Sequence, residues 1–189
     1  MGLLSFTDRW IRPPAELRKL FGGSERALAV AESTGSAGDA MDSSNTVVTV
    51  ATNLGLWLPI GPVDGQTEPR WRRVGWDRVV RANWNDNTLS VIEGDLDDEG
   101  VVQDQPAVTI SLTEPRNLPA VVRTRVEASI ARSEQVNLPG GTGRIVGRRV
   151  PGVDGLTWTA RIDTGTPDTP ADREVLLQYL ARATSAPTE

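Results

Sequence analysis

The segment PRWRRVGWDRVVRANWNDNTLSVIE, residues 69–93, carries the clearest fold signal in the sequence. Apolar and polar residues alternate from Val80 to Trp84, as they do on a strand with one buried face. Residues 85–86, Asn and Asp, can supply a tight turn, and the alternation resumes at Leu89. The segment therefore predicts a β-hairpin whose Val80, Trp84 and Leu89 side chains enter the core of a sheet.

The composition indicates a folded protein of one domain, or of one domain with a small appended unit. The chain has 189 residues, of which 38% are hydrophobic, and this length allows a substantial core. Its net charge is −5, and all of its 20 basic residues except Lys19 are arginine. The acidic balance argues against nucleic-acid binding, because that affinity rests on a large positive surface.

The absence of two residue types excludes the most common catalytic designs. The sequence contains neither cysteine nor histidine, so it offers no thiolate or imidazole metal ligand, no cysteine nucleophile and no serine-histidine-aspartate triad. We expect no metal site and no cofactor. No apolar run reaches the roughly 20 residues of a spanning helix, and no secretory leader is recognisable, which predicts a cytoplasmic protein.

Periodicity and turn residues predict two successive units, each with strands first and a helix last. In the first unit, strands surround the hairpin, and a stripe from Leu118 to Ile130 predicts an amphipathic helix capped by Asn117. In the second unit, residues 144–150 and 156–163 predict a further hairpin. The last helix should begin after Thr169, because a cap residue and a proline stand there in sequence.

These patterns predict an α+β fold: a mainly antiparallel β roll closed by an amphipathic helix, with a C-terminal strand-strand-helix extension. The predicted boundaries are an N-terminal helical segment at 1–23, the roll with its closing helix at 24–133, a β-hairpin and helix subdomain at 134–184, and a tail at 185–189.

The segments SERALAVAE, TVVTVATNLGLWLP and WDRVVRANWNDNTLSVIE, followed by one more strand and a helix, resemble the bacterial pleckstrin-homology-like domains. The resemblance covers roughly residues 24–133 and implies that the roll has the pleckstrin-homology-like fold. The whole chain, including RNLPAVVRTRVEASI, GRIVGRRVPG and WTARID, is similar to a group of conserved actinobacterial proteins without assigned function. The resemblance implies no role for any individual residue.

Six residues on the approach to the hairpin form a candidate binding surface, here called the Arg/Trp segment: Arg70, Trp71, Arg72, Arg73, Trp76 and Arg78. Forked hydrogen bonds from these guanidinium groups could hold a phosphate, an anionic lipid head group or an acidic peptide. The simpler alternative is a solvated strand face whose arginines are neutralised by the acidic residues between Glu93 and Glu99.

The tryptophans divide by sequence pattern into two groups. Those in apolar alternation are predicted to be in the core: Trp57, Trp84 and Trp158. The others are predicted to be more exposed: Trp10, Trp71 and Trp76. A second basic cluster consists of Arg144, Arg148 and Arg149, with Arg161 on the partner strand. A solvated sheet face is again the simpler interpretation of that cluster.

Two short motifs do not predict the sites that they superficially suggest. Residues from Asp95 to Gly100 have the opening spacing of a calcium-binding loop, but Pro106 stands where the bidentate glutamate is needed. The glycines between Gly141 and Gly147 lead into a predicted strand, whereas a dinucleotide fingerprint must lead into a helix. We interpret the second motif as a hairpin turn.

Three functional hypotheses follow. The first is a non-enzymatic protein-protein interaction or adaptor module, with a protein partner and no catalytic residue. An alternative is peripheral membrane or anionic-ligand binding through the Arg/Trp segment, with an anionic lipid or a phosphate as ligand. A further alternative is an enzyme that uses carboxylates alone, with Asp77 and either Asp86 or Asp95 as acid and base.

Overall fold

Two antiparallel sheets and three helices make up the part of the chain described by the computed structural model, residues 12–36, 47–60 and 70–186. The first sheet contains β1 (Ala27–Ser36), β2 (Val47–Thr52), β3 (Gly55–Ile60), β4 (Arg70–Gly75), β5 (Val79–Asn85), β6 (Thr88–Leu96), β7 (Val102–Asp104) and β8 (Val108–Leu112). The second sheet contains β9 (Ile130–Leu138), β10 (Gly141–Arg148) and β11 (Thr157–Ile162). The helices are α1 (Ala15–Lys19), α2 (Leu118–Ser129) and α3 (Pro170–Ser185). The predicted α+β class with mainly antiparallel strands is confirmed.

Different helices cover the two faces of the first sheet, whose strand order is β4-β3-β2-β1-β8-β6-β5, with β7 paired to β6. On one face, Leu118 and Val122 of α2 pack in a core with Ile110. On the other face, Leu17 of α1 packs in a second cluster with Val50. Because β2 contributes side chains to both clusters, its apolar and β-branched sequence is unbroken.

The predicted hairpin is formed by β5 and β6. Its turn lies at 86–87, one residue later than predicted, because Asn85 pairs with Thr88. Asp86 has a φ of 49°, a left-handed conformation that aspartate adopts more readily than most residues. The predicted position of the hairpin is therefore confirmed, and the predicted position of its turn is wrong by one residue.

Two of the three core assignments in this hairpin are confirmed. Leu89 is buried in the core beneath α2, and Trp84 packs against that core while half-buried. Val80 was assigned wrongly, since the register shifts between Val79 and Arg81 and Val79 takes the buried position instead. Val80 faces the second sheet.

The predicted closing helix is α2, and its end differs from the prediction by one residue. Leu118, Val122 and Ser129 are buried, as the helical stripe predicted. Ile130 is not part of the helix, because it is the first residue of β9. The chain thus passes from the first unit into the second sheet without a loop.

The second sheet has the order β11-β10-β9 and carries α3 on one face. Ile145 and Leu176 lie in the core between them, and half-buried Trp158 packs against it, as predicted. The helix start is also confirmed, because the Thr169 side chain accepts a hydrogen bond from the Asp172 backbone N–H at 3.2 Å. The predicted hairpin of the second unit is formed by β10 and β11.

Candidate functional site

The Arg/Trp segment does not form a single surface. Because side chains alternate along a strand, Arg70 and Arg72 lie on the face of β4 that is turned toward α2. Trp71 and Arg73 lie on the opposite face, where Trp71 packs against the cluster beneath α1. The segment therefore presents its side chains to two different surroundings.

Three arginines of the segment are bound to carboxylates: Arg72 to Glu93, Arg78 to Asp95, and Arg73 to Glu25. Two of these acceptors belong to the acidic stretch that follows the hairpin, so the ion-pairing interpretation is confirmed for Arg72 and Arg78. The pair of Arg78 with Asp95 is exposed and contributes little to stability, whereas the Glu25 and Glu93 side chains are buried. These carboxylates do neutralise the positive charge of the arginines, which an anionic lipid or a phosphate would need for binding.

Glu25 is a buried carboxylate that sequence analysis did not single out. It accepts hydrogen bonds from the Thr52 hydroxyl at 2.7 Å and the Trp57 indole N–H at 2.8 Å, and Arg73 donates to it at 2.9 Å. Burial alone would raise the pKa of Glu25, but these donors and the Gly22 backbone N–H outweigh burial and lower it. This side chain fixes the loop before β1 to β2, β3 and β4.

The predicted exposure of Trp76 is wrong. Only 3% of the residue is accessible, and its indole N–H donates to the Thr52 carbonyl oxygen at 3.0 Å. Trp71 is half-buried, and its indole N–H donates to the Val48 carbonyl oxygen at 2.8 Å. Both rings are held by backbone acceptors on β2, a strand far from them in the sequence. Trp10 lies outside the described residues.

A cleft of about 440 Å³ separates the two sheets, and we call it the inter-sheet cleft. On β10 and β11, the residues that do not face α3 point into it, and Arg144 lies opposite Arg161 in the strand register. Arg148 and Arg78 also line the cleft. The second basic cluster of the sequence, apart from Arg149, thus meets one arginine of the Arg/Trp segment, Arg78, in this cleft.

Three of these four arginines have carboxylate partners. The guanidinium of Arg144 donates to Asp163 at 2.9 Å, and that of Arg161 donates to Asp104 at 2.7 Å. Arg78 is the partner of Asp95, as described above. Each of these charges is therefore balanced at the wall of the cleft.

Arg148 differs from the others because all its acceptors are uncharged. Its Nη1 donates to the Ser129 hydroxyl at 2.8 Å and to the Trp76 carbonyl oxygen at 3.3 Å, and its Nη2 donates to the Val79 carbonyl oxygen at 3.2 Å. It forms no ion pair with any residue that the structure describes. Burial lowers the pKa of Arg148, although the negative charge of Asp77 opposes that effect.

The carboxylates proposed as an acid-base pair are placed differently. Asp77 and Asp95 both line the inter-sheet cleft, but Asp95 is already bound by Arg78. Asp86 is in the turn at the opposite end of β5. In the loop that resembles a calcium site, Asp97 accepts hydrogen bonds from Val101 and other groups of the protein.

Known proteins offer no counterpart from which a role for the cleft could be inferred. No protein-family model, no curated protein and no solved structure matches this chain. Across residues 12–36, 47–60 and 70–186, no group of three acidic side chains is arranged to hold a metal ion. No helix in these ranges is long and apolar enough to cross a membrane.

Proposed function

We propose that this protein is a non-enzymatic protein-protein interaction module whose partner places an acidic group in the inter-sheet cleft. The observation that carries the proposal is the half-buried guanidinium of Arg148, which lines an open cleft without a carboxylate partner. Asp77 acts on this charge only from beyond ion-pair distance, and an acidic group from outside would supply the direct partner that Arg148 lacks among the described residues. Arginine is also among the residues that most often dominate the energy of protein interfaces.

The proposal includes a pleckstrin-homology-like roll for residues 24–133 and a cytoplasmic site of action. An antiparallel sheet whose last strand is followed by the amphipathic helix α2 supports the first part. The composition supports the second, since a chain without cysteine has no need of an oxidising compartment. Subcellular fractionation of the source organism would test the location.

The inter-sheet cleft is a better candidate for this interaction than the Arg/Trp segment. Trp76 is buried, and Arg72 and Arg73 are bound to Glu93 and Glu25. Binding of an anionic membrane through this segment would also have to overcome the net negative charge of the chain. Of the six residues in the segment, Arg78 lines the cleft and belongs to the proposed site.

The test uses two apolar residues of nearly equal exposure. Leu96 lines the cleft and is 56% exposed, whereas Val153 is 54% exposed and does not line it. The wild-type protein, L96D and V153D would be immobilised and treated with a lysate of the source organism. We expect the wild type and V153D to retain the same partner and L96D to lose it, because the new carboxylate repels an acidic group. Equal retention by all three proteins would exclude the cleft as the docking site.

A further inference from the structure

We infer that the inter-sheet cleft recognises a carboxylate attached to an apolar body, such as an apolar C-terminal residue or a small branched carboxylic acid. This inference rests on the site named in the proposed function and specifies the chemistry of its ligand. It follows from three properties of the cleft: the donors left on Arg148, the balance of charge, and the apolar side chains around them.

The first property is a pair of unused donors on Arg148. A guanidinium carries five N–H groups, and three hydrogen bonds to Ser129, Trp76 and Val79 use three of them. The Nε–H and one Nη2–H have no acceptor among the described residues. Among the described residues, Thr49 Oγ1 is the side-chain polar atom that is sealed from solvent without a partner, so the unbonded Nε of Arg148 is accessible to solvent. Two donors on one planar group suit the two oxygens of a carboxylate.

The second property is that Arg148 forms no direct ion pair with any described residue, although the cleft already holds negative charge from Asp77 and Asp95. Arg78, Arg144 and Arg161 are each bound to an aspartate, and Arg148 is not. The negative charge of Asp77 already acts on Arg148, so a singly charged carboxylate adds less negative charge beside Asp77 and Asp95 than a doubly charged phosphate does. The charge balance therefore favours a carboxylate over a phosphate.

The third property is the apolar wall around Arg148. Aliphatic side chains from both sheets line the cleft: Val80, Leu96, Val102, Ile130 and Val146. Leu96 and Ile130 are large and exposed, at 56% and 38%, although they lie on strands that pack elsewhere against cores. A volume of about 440 Å³ is within the range of small-molecule sites and accommodates an apolar group beside the carboxylate.

The experiment compares small probes by NMR, with the Nε–H signals of the arginines as the readout. The probes are isovalerate, N-acetyl-leucine, acetate, isoamyl alcohol and inorganic phosphate. We expect isovalerate or N-acetyl-leucine to shift the Arg148 signal and to bind at least about tenfold more tightly than the alcohol, acetate or phosphate. Tighter binding of N-acetyl-leucine would assign the natural ligand to a protein C-terminus, and tighter binding of isovalerate would assign it to a free acid.

Two variants and one control complete the test. R148K keeps the charge but removes the forked donors, and L96D changes the wall without touching Arg148. Both should lose about tenfold or more in affinity for the best carboxylate probe, while V153D should bind it as the wild type does. If R148K does not fold, L96D alone decides. Equal binding of the alcohol or of phosphate, or full binding by L96D, would overturn the inference.

The two proposals can fail separately. If L96D loses a captured protein partner but no carboxylate probe shifts the Arg148 signal, the ligand chemistry is wrong and the interaction function stands. If a carboxylate probe binds but L96D and the wild type capture the same partner, the inference on the ligand stands and the interaction function is wrong.

Discussion

Arg173 of α3 donates a hydrogen bond to Asp97 of the loop between β6 and β7, with 2.8 Å between Nη1 and Oδ2. The same guanidinium contacts Glu99 at 2.7 Å and Asp168. One side chain of the second unit thus gathers three carboxylates, two of which belong to the first sheet's loop. The hydrogen bonds that Arg173 donates to these three carboxylates raise the pKa of its guanidinium, so Arg173 stays charged at any physiological pH.

Replacing Arg173 by glutamine should reduce stability in a pH-dependent way. Burial opposes the ionisation of Asp97, but hydrogen bonds from Val101 and Arg173 lower its pKa below the ordinary 3.8. Arg173 is the main cause of the lowered pKa of Asp168. A carboxyl with a lowered folded-state pKa adds stability above its unfolded pKa, and this stability is lost as the pH falls through the folded pKa.

We therefore expect R173Q to be less stable than the wild type by about 1 to 2 kcal/mol at neutral pH, a value reduced by solvent screening of the exposed acids. The difference should stay constant above about pH 5 and shrink as the pH falls below about 4. Urea denaturation at several pH values would measure it. R123Q, which removes an exposed pair with Glu127, is the control and should change stability little. A difference that grows in acid would contradict the assignment.

Replacing Glu25 by glutamine should destabilise the loop before β1. Its carboxylate is enclosed, and it accepts from Thr52, Trp57 and Arg73. Glutamine removes the negative charge and turns one acceptor into a donor, so we expect a loss of about 2 kcal/mol in urea denaturation. E127Q is the matched control, because Glu127 is an exposed partner of Arg123 and should cost less than about 1 kcal/mol. Equal effects of the two substitutions would show that Glu25 is not a structural centre.

Local signals in the sequence were sufficient for elements that depend on neighbouring residues. The β5-β6 hairpin, the β10-β11 hairpin and the start of α3 at Thr169 all follow from turn chemistry, alternation or capping within a few positions. The error at Val80 has a different cause. A register shift in β5 places Val79 on the buried face and turns Val80 to the opposite face. A single shifted residue reverses the face of a side chain, and composition does not reveal it.

The site depended on contacts that no local pattern encodes. Both basic clusters are visible in the sequence, but the meeting of Arg78 with three arginines of the second cluster results from the packing of one sheet on the other. The distinct state of Arg148 depends on Ser129 at the end of α2 and on Trp76 and Val79 at the turn between β4 and β5, all distant from it in the sequence. The burial of Trp76 likewise depends on a carbonyl group of β2.

Replacing Trp76 by phenylalanine should cost more than the same change at Trp84. The Trp76 indole N–H satisfies the Thr52 carbonyl oxygen inside the protein, and phenylalanine would leave that acceptor unpaired. The Trp84 indole N–H donates to the Asp86 carbonyl oxygen in an exposed turn, where water can replace it. We expect a loss of about 2 to 3 kcal/mol for W76F and under about 1 kcal/mol for W84F in urea denaturation. Equal losses would mean that the Trp76 hydrogen bond has no special weight.

Replacing Val101 by alanine should test whether the two sheets unfold together. Val101 belongs to the loop after β6, yet it is buried in the core between the second sheet and α3 and bridges to Ala160. Because Val101 of the first unit completes the core of the second, we expect the circular dichroism and tryptophan fluorescence of the wild type to follow one urea transition. V101A should leave a cavity that lowers the free energy of unfolding by about 2 kcal/mol, and the urea midpoints of both signals should fall together. V102A, at a half-buried position next to it, is the control and should cost less. A V101A transition that splits into two steps would show that the second unit is stable by itself.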